Sequence, residues 1–217
     1  HTLEYLNKIG EIELELLEVD QTGNLNLDQL SKCLESDQPA FVSLMHGNNE
    51  IGNLYPVHEI AEKVKAGNGI FHSDTVQTVG HFRHDLSKWK TDFMVGAGHK
   101  FHGPKGMGFM YIKKGKKIAP LLNGGGQESG KRSGTENVAG AAAMAKALRL
   151  VLEKTEEKQK SQKEIKTYLT EKLAGYKKVS IFSQKEGAPH ILCFALKGIR
   201  GEVMVHAFEK KEIYIST

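Results

Sequence analysis

Lys100 and Asp74 are the residues with the clearest chemical potential in this 217-residue chain. Asp74 closely follows residues 69–72, a short apolar run typical of a buried strand. Lys100 lies in the glycine-rich stretch GAGHKFHGPKG (residues 96–106), whose glycines allow the backbone to approach a ligand closely. A lysine amine can form an imine with an aldehyde, and a carboxylate can pair with a cationic ring.

A cofactor that needs this combination is pyridoxal phosphate (PLP). A lysine holds its aldehyde, an anion keeps its pyridine nitrogen protonated, and hydrogen-bond donors bind its phosphate. Ligands of an open parallel sheet bind beyond the carboxyl ends of the strands, and both Asp74 and Lys100 follow predicted strands. Each also has an ordinary interpretation, since an aspartate after a strand is often a helix N-cap and a lysine in a glycine-rich loop is usually solvated. Their occurrence on successive strands favours the chemical interpretation.

Several histidines raise the question of a metal site near the strand ends. The four are His46, His72, His99 and His102. No spacing among them matches a zinc pattern such as paired CxxC or HExxH. His99 and His102 also flank Lys100, and a lysine is a poor neighbour for a cation. We therefore expect no metal site.

Strand and helix signals alternate along the chain and predict an α/β fold with a mostly parallel sheet. The runs that predict strands are 13–19, 40–45, 69–72, 91–95, 106–112, 178–182, 190–196 and 212–215. Helical spacing covers 28–36, 56–65, 136–152, 153–171 and 202–210. The highly charged helix after residue 152 suggests a large domain over 1–152 and a smaller one over 153–217, each incomplete.

Composition excludes several classes of function. Hydrophobic residues make up 39% of the chain and charged residues 26%, as in a soluble globular protein. The net charge is +4, and no aromatic-rich motif accompanies its lysine cluster at 113–117, so we expect no nucleic-acid partner. No run of eighteen apolar residues predicts a membrane span. Two cysteines do not form a disulfide framework, which indicates a reducing compartment, the cytoplasm.

Four motifs together give the chain a recognisable resemblance. They are HGNNEIG (46–52), HSDTVQ (72–77), GHKFHGPKG (98–106) and RSGTEN (132–137). In this order they closely resemble the core motifs of cysteine desulfurases of the NifS/IscS type, which belong to the class-V aminotransferase family of fold-type I PLP enzymes. The similarity runs from residue 1 to 217, and four motifs in register are far more specific than one. The fold implied is a mostly parallel sheet sandwiched by helices, followed by part of a smaller C-terminal α/β domain.

The resemblance implies roles around the cofactor ring for three residues. Lys100 would hold PLP as an imine and later move the α-proton of the substrate. Asp74 would pair with the pyridinium nitrogen and keep the ring electron-accepting. Gln77 would hydrogen-bond the ring hydroxyl.

Three further residues take roles by the same resemblance. His99 would help to hold the phosphate, and Asn49 would lie near the ring hydroxyl and the substrate carboxylate. Thr135 would reach the phosphate of the neighbouring subunit, which makes a homodimer part of the active site.

The activity implied is conversion of L-cysteine to L-alanine. The sulfur would pass through an enzyme persulfide to an iron–sulfur cluster scaffold or another acceptor. Alternatives are another class-V PLP enzyme, such as an aminotransferase or a selenocysteine lyase, and a non-catalytic homologue that keeps the fold.

The chain departs from the family pattern at several places. Ala97 stands where a phosphate-binding hydroxyl residue is usual, and Ser129 stands where many relatives have arginine. The persulfide-forming cysteine is expected shortly after Thr217, and an N-terminal part is expected before residue 1. Cys33 and Cys193 are interpreted as small buried hydrophobic residues instead. We therefore expect this segment alone to be inactive.

Overall fold

The computed structural model describes residues 1–217 as an α/β fold with a four-stranded and a two-stranded sheet. The helices are α1 (Thr2–Lys8), α2 (Leu27–Cys33), α3 (Val57–Ala66), the short α4 (Gln127–Gly130), α5 (Val138–Glu153), α6 (Thr155–Ala174) and α7 (Gly201–Glu209). The strands are β1 (Phe41–Met45), β2 (Ile70–Asp74), β3 (Phe93–Ala97), β4 (Gly108–Ile112), β5 (Val179–Ile181) and β6 (Phe194–Leu196). A 3₁₀ turn, Gly98–Phe101, follows β3.

The larger sheet has the order β1-β2-β3-β4, and its first three strands are parallel. Asp74 pairs with Met45 on one side and with Val95 on the other, so the carboxyl ends of β1, β2 and β3 form one edge. β4 runs antiparallel to β3 and begins at this edge, because Gly108 pairs with Ala97. The predicted mostly parallel sheet is confirmed.

The hydrophobic core lies on one face of this sheet. Phe71 of β2 and Met94 of β3 point into it and meet Ile60 and Val64 of α3. α5 packs against the same core through partly buried side chains such as Leu148. Alternation along the strands sends the intervening residues to the opposite face. There Phe41 is 54% exposed and Met110 is 52% exposed, so the helices of this chain cover one face of the sheet.

Residues 13–19, predicted as a strand, form no strand. Their backbone groups bind the side chain of Gln29 instead: Oε1 accepts from the Glu18 N–H and Nε2 donates to the Leu16 carbonyl. An isolated bridge between Val19 and Leu25 is the nearest approach to pairing. The prediction failed because β propensity is realised only where a partner strand is present.

The strand predicted over 212–215 is also absent. The N–H groups of Lys211 and Ile213 donate to the Phe208 carbonyl, and the N–H of Glu212 donates to Glu209. The chain therefore turns back onto the end of α7 instead of joining a sheet. The strand predicted over 190–196 is shorter than expected, since β6 begins only at Phe194.

Candidate active site

Three loops meet at the carboxyl edge of the larger sheet, and they carry five of the six residues to which the sequence gives a role. The loop after β1 carries Asn49, the loop that begins at the end of β2 carries Asp74 and Gln77, and the 3₁₀ turn after β3 carries His99 and Lys100. The parallel register brings these loops side by side. This is the edge at which open α/β sheets bind ligands.

Asp74 is the last residue of β2 and has an exposed side chain. Its backbone carbonyl accepts a hydrogen bond of 2.8 Å from the N–H of His46, which ties the ends of β1 and β2 together. Its Oδ1 accepts from the N–H of Val76 at 2.9 Å, a local bond that fixes the direction of the carboxylate. No lysine, arginine or histidine forms a salt bridge with Asp74, so its charge remains available to a ligand.

Lys100 is held by a buried neighbour while its own side chain is exposed. Phe101 is 1% exposed and belongs to the hydrophobic core. Gly80 lies against it with φ +83°, and a Cβ on Gly80 would come within 2.5 Å of the Phe101 Cβ, so only glycine fits there. The buried Phe101 therefore fixes the 3₁₀ turn and leaves the amine of Lys100 facing solvent, without a salt bridge.

His72 lies two residues before Asp74, on the same face of β2, and sequence reasoning gave it no role. Its Nδ1 lies 2.8 Å from the Ser43 Oγ of β1, at hydrogen-bond distance. Burial lowers the pKa of His72, and the charge of Asp74 partly offsets this effect. The period of two along a strand could have identified it as a neighbour of Asp74.

Asn49 and Gln77 lie on loops with firm backbone support. The Oδ1 of Asn48 accepts from the N–H groups of Glu50 and Ile51, so the loop after β1 is tightly turned. The side chain of Asn49 is exposed and donates to Glu50 Oε1 at 2.6 Å. Gln77 is partly buried. Both carboxamides stand at the edge that carries Asp74.

His46 connects two of the three loops. Its Nδ1 lies 3.0 Å from the Thr78 Oγ1 at hydrogen-bond distance, joining the loops after β1 and β2. Its ring also packs edge-on against Trp89. Burial, with smaller contributions from His84 and His58, lowers the pKa of His46 to about 4. His46 is therefore a neutral packing residue. The structure contains no group of three or more His, Cys, Asp or Glu side chains that could hold a metal ion.

Thr135 lies apart from these five residues, in the loop before α5. Its side chain is exposed and makes no hydrogen bond to any of them. The loop is anchored near the same edge, because Asn137 Nδ2 lies 3.4 Å from the sulfur of Met107, the residue before β4. Asn137 also caps α5 by accepting from the Gly140 N–H.

The side chains at this edge fit the chemistry of PLP. Lys100 offers an amine for the aldehyde, Asp74 a carboxylate for the pyridinium nitrogen, and His99, Asn49 and Gln77 offer hydrogen-bonding groups. The amine and the carboxylate neutralise neither each other nor another side chain, so both remain free for a ligand. Ala97 lies on the same sheet face as Asp74 and Val95, and its methyl group provides no hydrogen bond at this edge.

Neither cysteine has the setting of a reactive thiol. Both are free and partly buried. Cys193 precedes β6 instead of lying within a strand as predicted, and its backbone N–H donates to Ser183 Oγ at 2.7 Å. Burial, followed by the charge of Glu50, raises the pKa of the Cys193 thiol, which reduces its thiolate fraction.

Comparison with known proteins identifies relatives along the whole chain. Residues 2–217 match the family Aminotransferase class-V. A "NifS/IcsS protein homolog" of Lactobacillus delbrueckii subsp. bulgaricus is 46% identical over 100% of this chain and 57% of its own length. The "Cysteine desulfurase IscS" of Dictyoglomus turgidum is 36% identical over 98% of this chain and 54% of its own length. The chain therefore spans little more than half of these curated relatives.

Solved structures show the same fold. A NifS-like protein superposes with a TM-score of 0.94 at 36% identity, covering 100% of this chain and 59% of that one. The NifS-like protein of Rickettsia africae gives a TM-score of 0.92 at 28% identity, covering 100% of this chain and 61% of that one. The fold-type I assignment is confirmed. None of the helices has the length and apolar character needed to span a membrane.

Proposed function

Because this chain belongs to the class-V aminotransferase family, we propose that the protein containing it is a PLP-dependent cysteine desulfurase. It would convert L-cysteine to L-alanine and pass the sulfur through an enzyme persulfide to an acceptor such as an iron–sulfur cluster scaffold. The observation that carries this proposal is the free amine of Lys100 and the free carboxylate of Asp74 at one edge of a parallel sheet. The names of the two relatives described above support the choice of activity.

The residues at this edge would take separate roles in binding the cofactor and the substrate. Lys100 would hold its aldehyde carbon, Asp74 its pyridine nitrogen and Gln77 its ring hydroxyl. His99 would contribute to the phosphate site, and Asn49 would orient the substrate carboxylate. When bound, PLP supplies an electron-accepting ring that stabilises negative charge at the substrate α-carbon.

The protein's own groups would move the proton and the sulfur. Nζ of Lys100 would take the proton from the α-carbon of cysteine and later return a proton to the product. A cysteine thiolate in the longer protein would attack the substrate sulfur, so that an S–S bond forms as the C–S bond breaks. The electron pair of the C–S bond stays with carbon, which is then protonated to give alanine. The raised pKa of Cys193 makes this thiol unsuited to the attack.

The test is a product assay on the complete protein supplied with PLP and L-cysteine. We expect the absorption band of lysine-bound PLP, and alanine and sulfide in equal amounts when a thiol reductant releases the sulfur. An amino-donor and keto-acid pair turned over faster than cysteine would instead identify an aminotransferase. Preference for selenocysteine would identify a selenocysteine lyase.

A non-catalytic homologue is the second candidate, and Ala97 is the observation that favours it. The missing hydroxyl removes one hydrogen bond to a charged phosphate, worth about 1 kcal/mol or more. A complete protein that stays colourless at high PLP concentration, and releases neither alanine nor sulfide, would support this candidate and overturn the first.

We also propose a homodimer in which Thr135 contacts the phosphate bound by the other subunit. Large apolar side chains are exposed in the segment 121–138, which contains Thr135: Leu121 is 93% exposed and Val138 is 71% exposed. Exposed apolar groups of this size often mark a protein interface. Replacing Val138 by aspartate should shift the protein from dimer to monomer in light scattering, whereas an unchanged mass would contradict the proposal.

The proposed division into domains at residues 152 and 153 has support from the junction of α5 and α6. Lys154 is the C-cap of α5 and the N-cap of α6 and has a φ of −115°, so the helical direction breaks there. The cytoplasmic location that we propose rests on the two free thiols, which are typical of a reducing compartment.

A further inference from the structure

We propose that the stacked imidazoles of His81 and His190 act as a clasp that holds residues 183–193 against the active-site loops, and that protonation of the rings opens it. The clasp is a property of the fold and stands independently of the reaction. Only its position beside a cofactor site rests on the proposed function.

The two rings form a close parallel stack. Their centroids are 3.7 Å apart and the ring planes differ by 10°. Nδ1 of His81 and both ring nitrogens of His190 are buried without a hydrogen-bond partner in the protein. Buried polar atoms without partners are uncommon and point to a special role or an additional ligand such as water. A stack of this kind is attractive when both rings are neutral and repulsive when both are charged.

The stack lies next to two residues of the proposed cofactor site. The backbone carbonyl of Lys100 faces the His81 ring, and that of Gln77 faces the His190 ring. His81 directly follows Gly80, the residue in close contact with Phe101. A movement of the stack would therefore be transmitted to the backbone of both loops.

Residues 183–193 also contact the third loop, the one that carries Asn49. The Ala188 N–H donates to the Gly52 carbonyl at 2.7 Å, and Ser183 Oγ donates to the Ile51 carbonyl at 2.7 Å. The approach is close, since a Cβ on Gly187 would lie 2.6 Å from the Gly52 oxygen. Residues 183–193 thus pack against all three loops.

α6 holds the same segment from its other side. Nζ of Lys166 is buried and donates to the carbonyls of Gln184 and Ala188, both at 3.0 Å. Gln159 of α6 donates to the backbone carbonyl of His81. α6 and residues 183–193 are therefore joined, and the His81–His190 stack connects the pair to the loops of the larger sheet.

The charged side chains around the stack oppose its protonation, and this effect, together with burial, outweighs the opposite effect of the Lys100 and Gln77 carbonyls on the pKa of the two rings. The titratable groups that face it are Lys100 and His102 from the 3₁₀ turn and its C-cap, and Lys158 and Lys166 from α6. Lys158 Nζ lies 3.5 Å from His102 Nε2. The acid of the segment, Glu186, instead forms a salt bridge of 3.6 Å with Lys163. No carboxylate is placed to compensate a charged imidazole.

The direction of the pH effect follows from these surroundings. Burial, then His81 and Lys158, lowers the pKa of His190 to about 4, and burial also lowers the pKa of His81. An exposed histidine has a pKa near 6.5. The open state therefore binds more protons, so the clasp is fully stable above about pH 6.5 and weakens as the pH falls toward about 4.

The experiment is amide hydrogen exchange on the complete protein, corrected for intrinsic rates, at about pH 7.5 and about pH 5. We expect protection of residues 183–193 to fall roughly thirtyfold at the lower pH, because the pKa of His190 is about 4 when the clasp is closed and about 6.5 when it is open. The double variant His81→Phe/His190→Phe keeps two stacked rings without titratable protons. It should retain protection at both pH values.

The matched control is His206→Gln, which removes an exposed histidine of α7 whose side chain is 77% exposed. It should reproduce the parent's loss of protection. Equal protection of the parent at both pH values, or an equal loss in the double phenylalanine variant, would overturn the proposal. If that variant does not fold, NMR titration of the parent decides: the pKa of both rings must lie below about 6.5, and a pKa near 6.5 for both rings would refute the clasp. Because neither readout uses turnover, an inactive protein would disprove the proposed function without affecting this test.

Discussion

Asp74 and Asp92 stand at opposite edges of the same sheet and have opposite surroundings. Asp92 precedes β3 and is 1% exposed; its Oδ2 accepts from the Phe71 N–H at 3.0 Å. Its Oδ1 lies 3.1 Å from Nζ of Lys116. Asp74 ends β2, is exposed, and forms no salt bridge although the exposed Lys100 lies on the adjacent loop.

The difference shows that an aspartate and a lysine can either stabilise the fold or remain available to a ligand. A buried carboxylate that accepts from a backbone N–H and forms an ion pair with its own lysine contributes to the fold, and removing one partner is costly. A carboxylate and an amine that remain unpaired at the carboxyl edge of a parallel sheet are available to a ligand. We therefore assign a structural role to the Asp92–Lys116 pair and propose a chemical role for Asp74 and Lys100.

Replacing Lys100 by alanine should have the largest effect on activity. We expect sulfide release from cysteine to fall by about 10³-fold or more, because in the proposed mechanism the amine both attaches the cofactor and moves the α-proton. The free energy of unfolding should remain unchanged, since the side chain is exposed. Lys114→Ala, which removes an exposed lysine of the turn after β4, is the matched control and should keep full activity. Sulfide release at the normal rate from the Lys100 variant would contradict the assignment.

Replacing Asp92 by alanine should have the largest effect on stability. The change leaves the Phe71 N–H without its acceptor and Lys116 without its partner, and we expect a loss of about 3 kcal/mol in the free energy of unfolding. Urea denaturation measures this loss. Asp85→Ala removes an exposed aspartate that forms a salt bridge of 3.5 Å with Lys88, and it should cost much less. An equal loss in the free energy of unfolding of the two variants would contradict the structural role given to Asp92.

Asp74→Asn should give the opposite result to the Asp92 change. We expect a loss of roughly 10²-fold in turnover, because a neutral amide no longer stabilises the charged ring. Stability should stay close to that of the parent, since an asparagine can still accept from the Val76 N–H. Enzyme kinetics test the expected loss of turnover, and urea denaturation tests the unchanged stability. A variant that is destabilised yet fully active would reverse the roles given to the two aspartates.

Ala97→Thr should produce the smallest change, and it should be a gain. A hydroxyl on this face of β3 would restore one hydrogen bond to the phosphate, and about 1 kcal/mol corresponds to roughly fivefold tighter binding of PLP. Fluorescence titration of the cofactor-free protein measures the affinity. Ala119→Thr, at an exposed position after β4, is the control and should leave the affinity unchanged. Weaker binding in the Ala97 variant would show that the site has no room for the hydroxyl.

The sequence was informative about the residues at the ends of strands. The apolar runs before Asp74 and Lys100 are short and strongly patterned, so both residues could be placed at one edge before any geometry was known. The structure confirms this edge and the mostly parallel order.

Sequence reasoning failed where distant side chains determine the outcome. The backbone of residues 13–19 binds Gln29, and this contact outweighs β propensity. Similarly, no local pattern connects His81 with His190, which are far apart in the chain and meet only because residues 183–193 return to the sheet. The unpaired state of Asp74 was also unpredictable, because it depends on where every basic side chain is directed.

Borohydride reduction of the PLP-loaded complete protein, followed by peptide mapping, identifies the lysine that binds the cofactor. Reduction fixes the cofactor to the lysine that holds it. We expect a single labelled peptide that contains Lys100, and loss of this label in the Lys100→Ala variant. Label on a different lysine, or no label after loading with PLP, would contradict the claim that Lys100 and Asp74 form one cofactor site.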